Sequence, residues 1–115
     1  IRGDVYYANL NDDAEGAEQY GERPVVILQT DKFNKMVGIL TVIIVPISTY
    51  RPQKEGRFTE VILSKGEGGL KNDSVAICHQ VRALDKGRFK NKIGRLPEIK
   101  MNTIEQKLAI IMGFK

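Results

Sequence analysis

The apolar run ILTVIIVPI, at residues 39–47, gives the first indication of the fold. It is the longest apolar stretch of the chain, yet it is much shorter than the ~20 residues that a membrane-spanning helix needs. We therefore predict that it forms a buried strand and does not cross a membrane.

Other short strands are predicted on both sides of this run. They are expected near residues 3–10, 24–30, 58–64 and 74–82. The stretches between them are rich in Gly, Pro, Asn and Asp, which is typical of turns. Asp85 is placed to cap a helical turn over 86–89, and Ile93 and Leu96 fit a last strand. This pattern predicts a small antiparallel barrel.

After these strands the periodicity becomes helical. Pro97 is of a type favoured in the first helical turn, and apolar residues then recur at the spacing of one helix face: Ile104, Leu108, Ile111 and Met112. We predict a C-terminal amphipathic helix that packs on the barrel, with recruitment of a partner as the alternative use of its apolar face. The expected fold class is mainly β with one closing helix.

Length and composition indicate a single domain over residues 1–115. The 115 residues, 42% of them hydrophobic, are enough for one core. The single cysteine, Cys78, has no partner for an internal disulfide, and no stretch resembles a signal peptide. These features predict a protein of the reducing cytoplasm.

Charge is distributed unevenly along the chain. The net charge is +4, but residues 82–100 are strongly basic while an early loop is acidic. A basic region suits a polyanion or an acidic protein. An ordinary solvated surface with both signs is equally compatible with this distribution, so the assignment of partners depends on motifs.

Two polar loops are candidates for substrate contact. The first, NDDAEGAEQYGE at 11–22, is long enough to be functional and contains Tyr20. Its acids repel anions, so we do not expect this loop to attract a polyanion electrostatically. The second, RPQKEGR at 51–57, offers Lys54 and Arg57 as further cations.

Three stretches together carry a resemblance to a known family: RGDVYYANL at 2–10, GERPVVIL at 21–28 and SVAICHQVRALDKGR at 74–88. In order and spacing they are similar to the MazF/PemK/Kid toxins of bacterial toxin–antitoxin pairs, over nearly the whole chain. The resemblance implies an SH3-like barrel, a homodimer and sequence-specific cleavage of single-stranded RNA without a cofactor, with mRNA as the expected substrate. It also implies an acidic, partly disordered antitoxin of the MazE type as partner.

The residue types agree with RNA cleavage that uses no metal. Such a reaction uses the neighbouring 2′-OH as nucleophile and needs a base, cations for the phosphorane and an acid. His79 is the only histidine, which excludes a pair of histidines. One histidine, one cysteine and no carboxylate pair at ligand spacing argue against a catalytic metal. Arginine is therefore the expected catalytic cation.

Arg23 is the first candidate. It lies between the long loop and an apolar strand, where a guanidinium can bind a phosphate with two hydrogen bonds while Pro24 fixes the backbone. The alternative is a surface ion pair with Glu22 or another acid of the loop. The matching arginine of the family is treated as catalytic, which favours the first interpretation.

Ser48 and Thr49 end the apolar strand, and the resemblance implies that a hydroxyl here helps to bind or stabilise the cleaved phosphate. Because side chains alternate along a strand, we expect only one of them to line the groove, with Ser48 favoured. Either could instead be a turn residue that hydrogen-bonds to its own backbone.

His79 departs from the family pattern, which usually has Asp or Glu there. An imidazole could act as the base near neutral pH. Strict alternation, however, places His79 on the same face as Val75, Ile77 and Val81, which predicts a partly packed histidine. A bulge at the strand end would expose it, and both interpretations stay open.

The predicted RNA-binding residues are Tyr20, Lys54, Arg57, Gln80, Arg82 and Arg88. Tyr20 could stack on an unpaired base, and we expect its acidic loop to gate or select bases and not to attract RNA. Gln80 and Arg82 are expected on the face opposite His79, where they suit a base edge and a phosphate, respectively; cross-strand pairing is the alternative.

For the whole protein, the alternatives are a CcdB-like toxin that inhibits DNA gyrase by protein contact and an SH3-like adaptor without toxicity. The sequence does not specify the recognised nucleotides, the general base or the product ends.

Overall fold

The computed structural model describes residues 1–10, 21–50 and 58–114. These described residues form seven strands and two helices, together with short 3₁₀ turns. The strands are β1 (Asp4–Leu10), β2 (Gly21–Ile27), β3 (Thr41–Thr49), β4 (Glu60–Leu63), β5 (Ser74–Ile77), β6 (Arg82–Asp85) and β7 (Phe89–Arg95). The helices are α1 (Asp31–Asn34) and α2 (Glu98–Met112), and the 3₁₀ turns are Glu67–Gly69, Cys78–Gln80 and Lys86–Arg88.

The described strands form one antiparallel sheet with β3 near its centre. The hydrogen-bonded order is β4-β5-β3-β2-β1-β7, and β6 also pairs with β3. The expectation of a mainly antiparallel β fold with a C-terminal helix is confirmed. The predicted single strand over 74–82 is wrong, because the turn Cys78–Gln80 divides it into β5 and β6, which pair with opposite ends of β3.

The second half of the apolar run 39–47 is buried because β3 contributes to two hydrophobic clusters. Val45 and Ile47 pack in one cluster, and Val42 and Ile44 pack in the other. Residues 44–47 are all buried, and a strand segment that is buried on both faces has nearly continuous apolar sequence. The prediction of a buried strand is therefore confirmed for this half, whereas Leu40 and Ile43 in the first half are exposed.

Glycines allow the turn after β4 to pack directly on β7. A Cβ atom on Gly69 would lie 1.9 Å from the Ile93 carbonyl oxygen, and one on Gly94 would lie 2.4 Å from the Gly68 carbonyl carbon. Gly69 also has φ +78°, a left-handed conformation that favours glycine. The turn that follows β4, at one end of the sheet order, thus packs on β7 at the other end, which makes the sheet barrel-like.

Helix α2 covers one of the hydrophobic clusters. Met101 and Ile104 are buried in it, and Leu108 and Ile111 pack against it, so the predicted packing of the helix is confirmed. The Lys100 Nζ atom donates a hydrogen bond of 2.7 Å to the Ile62 carbonyl oxygen on β4. In the described part of the chain, no helix is long and apolar enough to cross a membrane.

The capping prediction for Asp85 is also confirmed. Its Oδ1 atom accepts a hydrogen bond of 2.7 Å from the Gly87 amide, at the start of the turn Lys86–Arg88. This turn directs the chain from β6 into β7, which pairs with β1.

Candidate active site

Arg23 lies on β2 between β1 and β3. Ala8 of β1 is directly opposite Arg23, and β2 pairs with β3 through Val25 and Pro46. Because residue numbers run in opposite directions along antiparallel strands, continuation of this register places Arg23 opposite Ser48. The two side chains that the sequence singled out are therefore neighbours across adjacent strands, on one face of the sheet.

A cavity of about 200 Å³ lies at this end of the sheet. Its walls come from β1, β2 and β3 and from the loop that leads into β5. The lining residues are Tyr7, Glu22, Arg23, Pro24, Ile47, Ser48, Thr49, Leu70, Lys71, Asn72 and Ser74. The cavity thus brings a guanidinium, an ammonium, hydroxyl groups and an amide to one place, which suits a phosphodiester substrate.

Ser48 and Thr49 both line this cavity. The expectation that only one of them would do so is wrong, because the cavity lies where β3 ends and its lining includes both residues. Ser48 shares the face of Arg23, whereas Thr49 is exposed and pairs with Ser74 of β5. Either hydroxyl is close enough to the cavity to contact a ligand there.

His79 lies in the turn Cys78–Gln80, where its side chain is exposed. The interpretation as a packed histidine is wrong, because the turn interrupts strand alternation and places Cys78 in the core instead. His79 is not one of the residues that line the cavity around Arg23. Burial raises the pKa of the Cys78 thiol from the ordinary 9.0 to about 11, so this thiol is protonated at neutral pH.

The predicted RNA-binding residues occupy several places. Gln80 is half-buried in the same turn as His79, and Arg82 is half-buried opposite Ile44 of β3. Arg88 donates a hydrogen bond of 3.4 Å from Nη1 to the Asn9 carbonyl oxygen of β1. None of these three described residues lines the cavity. The predictions for Tyr20, Lys54 and Arg57 concern positions outside the described residues.

Sequence reasoning did not identify Lys71, Asn72 and Ser74 as parts of the site. Lys71 and Asn72 follow the turn Glu67–Gly69 in a segment with no motif, Ser74 is the first residue of the stretch 74–88, and all three reach the cavity because β5 pairs with the end of β3. Tyr7 of β1 also lines the cavity. Tyr6 packs edge-to-face on Phe89, with ring centroids 5.7 Å apart, and is structural.

Several cations of the basic stretch are used within the protein. Lys92 Nζ and Arg95 Nη1 lie 3.3 Å and 3.5 Å from the carboxylate of Asp4, which is only 2% exposed. Lys90 Nζ lies 3.6 Å from the Glu22 carboxylate beside the cavity. The described residues contain no group of three or more His, Cys, Asp or Glu side chains that could hold a metal ion.

Comparison with solved structures shows the same fold in several toxins. MazF from Deinococcus radiodurans superposes with a TM-score of 0.80 at 23% identity, covering 98% of this chain and 96% of that one. A mycobacterial endoribonuclease in complex with its cognate antitoxin gives a TM-score of 0.79 at 23% identity, covering 100% of this chain and 96% of that one. Mycobacterium tuberculosis toxin MazF-mt6 gives 0.78 at 20% identity, covering 97% and 98%, respectively.

Comparison with protein families gives a match over almost the full length. The model of the PemK-like, MazF-like toxins of type II toxin–antitoxin systems matches residues 1–112. This range contains the complete sheet, the cavity and all of α2. The chain therefore belongs to the PemK-like, MazF-like toxin family of type II toxin–antitoxin systems.

Proposed function

We propose that this toxin is a sequence-specific, metal-independent endoribonuclease that cleaves single-stranded mRNA in the cytoplasm. The observation that carries the proposal is the placement of Arg23 across from Ser48 at one cavity, with Thr49 at the same strand end. Family membership supports it, because one of the structural relatives is described as an endoribonuclease.

The proposed mechanism uses these side chains directly. A general base takes the proton of the 2′-OH of one nucleotide, and the 2′ oxygen forms a bond to the adjacent phosphorus. The bond from this phosphorus to the 5′ oxygen of the next nucleotide breaks, and the leaving oxygen takes a proton from a general acid or from water. The Arg23 guanidinium binds two phosphoryl oxygens and stabilises the charge that develops in the phosphorane. Ser48 or Thr49 donates a hydrogen bond to the same group.

His79 is retained as a candidate general base. Its exposed position in the turn Cys78–Gln80 leaves the imidazole accessible to a bound RNA strand. The proposed contacts to the same strand beyond the cavity are Gln80, Arg82 and Arg88. The proposed contacts from the two polar loops are Tyr20, Lys54 and Arg57.

A substitution tests the role of His79. If His79 is the base, His79→Gln removes the acidic limb of the pH–rate profile. If His79 only contacts RNA, the substitution raises KM and leaves that limb in place.

The proposed partners are an acidic antitoxin of the MazE type and a second copy of the chain. Solved relatives include a MazE–MazF complex from Deinococcus radiodurans. A disordered acidic segment that folds on the cavity would exclude RNA by occupying the cationic groups there. The exposed apolar residues Ile110 and Phe114 at the end of α2 are candidates for the contact between two copies.

The proposal is tested by incubation of the purified chain with a long unstructured RNA in the presence of a chelator, followed by mapping of the cut ends. We expect cuts at a short recurrent sequence and loss of cutting in Arg23→Ala. Lys32→Ala, which removes an exposed cation of α1, is the charge-matched control and should cut normally. RNA that stays intact would overturn the proposal and would favour a toxin that acts by protein contact.

A further inference from the structure

The loop that leads into β5 forms a wall of the cavity that has no assigned role. Leu70, Lys71, Asn72 and Ser74 line the cavity from this side. In the sheet order, β5 and β2 lie on opposite sides of β3. The loop and Arg23 therefore flank the end of β3, so that a strand lying across Ser48 and Thr49 would meet both.

This wall is held in place at its first residue. Leu70 is 4% exposed and belongs to the hydrophobic cluster under α2. Its carbonyl oxygen accepts a hydrogen bond of 2.8 Å from the Gly66 amide, which closes the turn that packs on β7. The position of the loop is thus fixed by the core of the protein.

The loop is held equally firmly at its other end. The Tyr50 amide donates to the Asp73 carbonyl oxygen at 2.8 Å, and the Lys65 amide donates to the Asp73 Oδ1 atom at 2.8 Å. The buried Ser74 donates from Oγ to the Asn72 carbonyl oxygen at 2.8 Å. Lys71 and Asn72 therefore project from a short backbone segment that is anchored on both sides.

The side chains of Lys71 and Asn72 are both exposed, and in the described part of the chain neither makes an ion pair or a side-chain hydrogen bond. A ligand can bind them without breaking an ion pair or a side-chain hydrogen bond to another described residue. The Lys71 ammonium suits a phosphate oxygen. The Asn72 amide offers donors and an acceptor, as a base edge requires.

We propose that Lys71 and Asn72 bind the RNA strand beside the scissile linkage, with Lys71 on a flanking phosphate and Asn72 on the edge of a neighbouring base. The loop would then contribute to the choice of cleavage sequence, while Arg23 acts on the reacting phosphate. This inference rests on the proposed ribonuclease function.

The two residues are expected to have different kinetic signatures. Lys71→Ala should lower kcat/KM about tenfold or more on every RNA, because a charge-assisted hydrogen bond is lost. It should also reduce the slope of log affinity against log salt by about 0.7, the value for one phosphate contact on a single strand. Asn72→Ala should instead reduce discrimination at one nucleotide position by about tenfold or more and leave the other positions unchanged.

Matched variants make the test specific. Lys65→Ala removes an exposed lysine of the same connection that does not line the cavity, so it has the same charge change and should behave as the unmodified chain. Lys71→Arg keeps the charge and should restore most of the activity. Thermal unfolding of each variant verifies that the fold is retained.

Two outcomes separate this inference from the proposed function. RNA left intact by the unmodified chain overturns both. Cleavage by the unmodified chain, with Lys71→Ala and Asn72→Ala indistinguishable from Lys65→Ala in rate, salt dependence and sequence preference, overturns this inference alone.

Discussion

The cavity at the end of β3 and the outer face of β7 both contain several cations, but they use them differently. On β7, Lys92 and Arg95 lie beside the buried Asp4 carboxylate, and Lys90 pairs with Glu22. At the cavity, no carboxylate of a described residue lies within 4.0 Å of the Lys71 ammonium. The stretch with the highest density of positive charge is thus partly structural.

This difference shows why charge along a sequence is a poor guide to a binding site. A cation that is already paired must lose that partner, or share it, before it can hold a phosphate, so its net contribution to binding is small. A cation at a cavity wall without such a partner contributes fully. Four substitutions or titrations test the comparison, in order of decreasing expected effect.

The largest effect is expected from removal of the cavity guanidinium. Arg23→Ala should lower the cleavage rate by about 10³-fold, within the range for loss of an arginine that stabilises a transferring phosphoryl group. Arg95→Ala, the matched change on β7, should alter the rate by less than about threefold. Single-turnover cleavage of a defined RNA measures both, and equal losses in the two variants would contradict the assigned difference.

The second effect concerns the backbone contact that holds β7. Gly69→Ala places a Cβ atom against the Ile93 carbonyl oxygen and imposes a side chain at φ +78°. We expect the free energy of unfolding to fall by about 3 kcal/mol or more, because the neighbouring backbone must shift. Gly38→Ala, where nothing lies within 4 Å of the added Cβ, is the control. Urea unfolding that is equal for the two variants would show that the contact is not needed.

The third effect is a loss of stability at high pH, which limits the pH range in which the two regions can be compared in a folded protein. Since burial raises the pKa of Cys78 from 9.0 to about 11, the unfolded thiol ionises first as the pH rises. The buried, protonated thiol contributes fully to stability below pH 9. Between about pH 9 and 11 this contribution is lost, and the free energy of unfolding falls by about 2–3 kcal/mol. Cys78→Ala should lack this component, so the stability difference between the two proteins should shrink over that range. A constant difference would be inconsistent with a protonated, buried thiol.

The smallest effect tests the structural use of charge at β7. Asp4→Asn removes the buried charge beside Lys92 and Arg95 while it keeps the shape of the side chain. We expect a loss of about 1–2 kcal/mol in unfolding free energy, below the usual cost of breaking a fully buried pair because both cations are half-exposed. Cleavage per folded molecule should not change. A loss of activity without a loss of stability would place this cluster in the functional site.

The sequence predicted the general architecture because the relevant signals are local. The apolar run, the turn residues and the change to helical spacing after Pro97 indicated strands and a closing helix, and the structure confirms these elements with shifted ends. The prediction was wrong at Cys78–Gln80, where a 3₁₀ turn interrupts the pattern. Such a turn exchanges the buried and exposed positions, so that Cys78 is buried and His79 is exposed. The alternation of apolar residues does not indicate the turn, because the sequence on both sides of it is strand-like.

What the sequence determined by itself was the fold class and the family, and it predicted Arg23, Ser48 and Thr49 as site residues, since these inferences follow from residue type and from order along the chain. Only the tertiary structure decided that Lys71 and Asn72 share a cavity with them. It also decided that the basic β7 is partly neutralised by Asp4 and Glu22. The reason is physical: strand pairing brings together residues that are distant in sequence, and whether a charge is available depends on the neighbours that this pairing supplies.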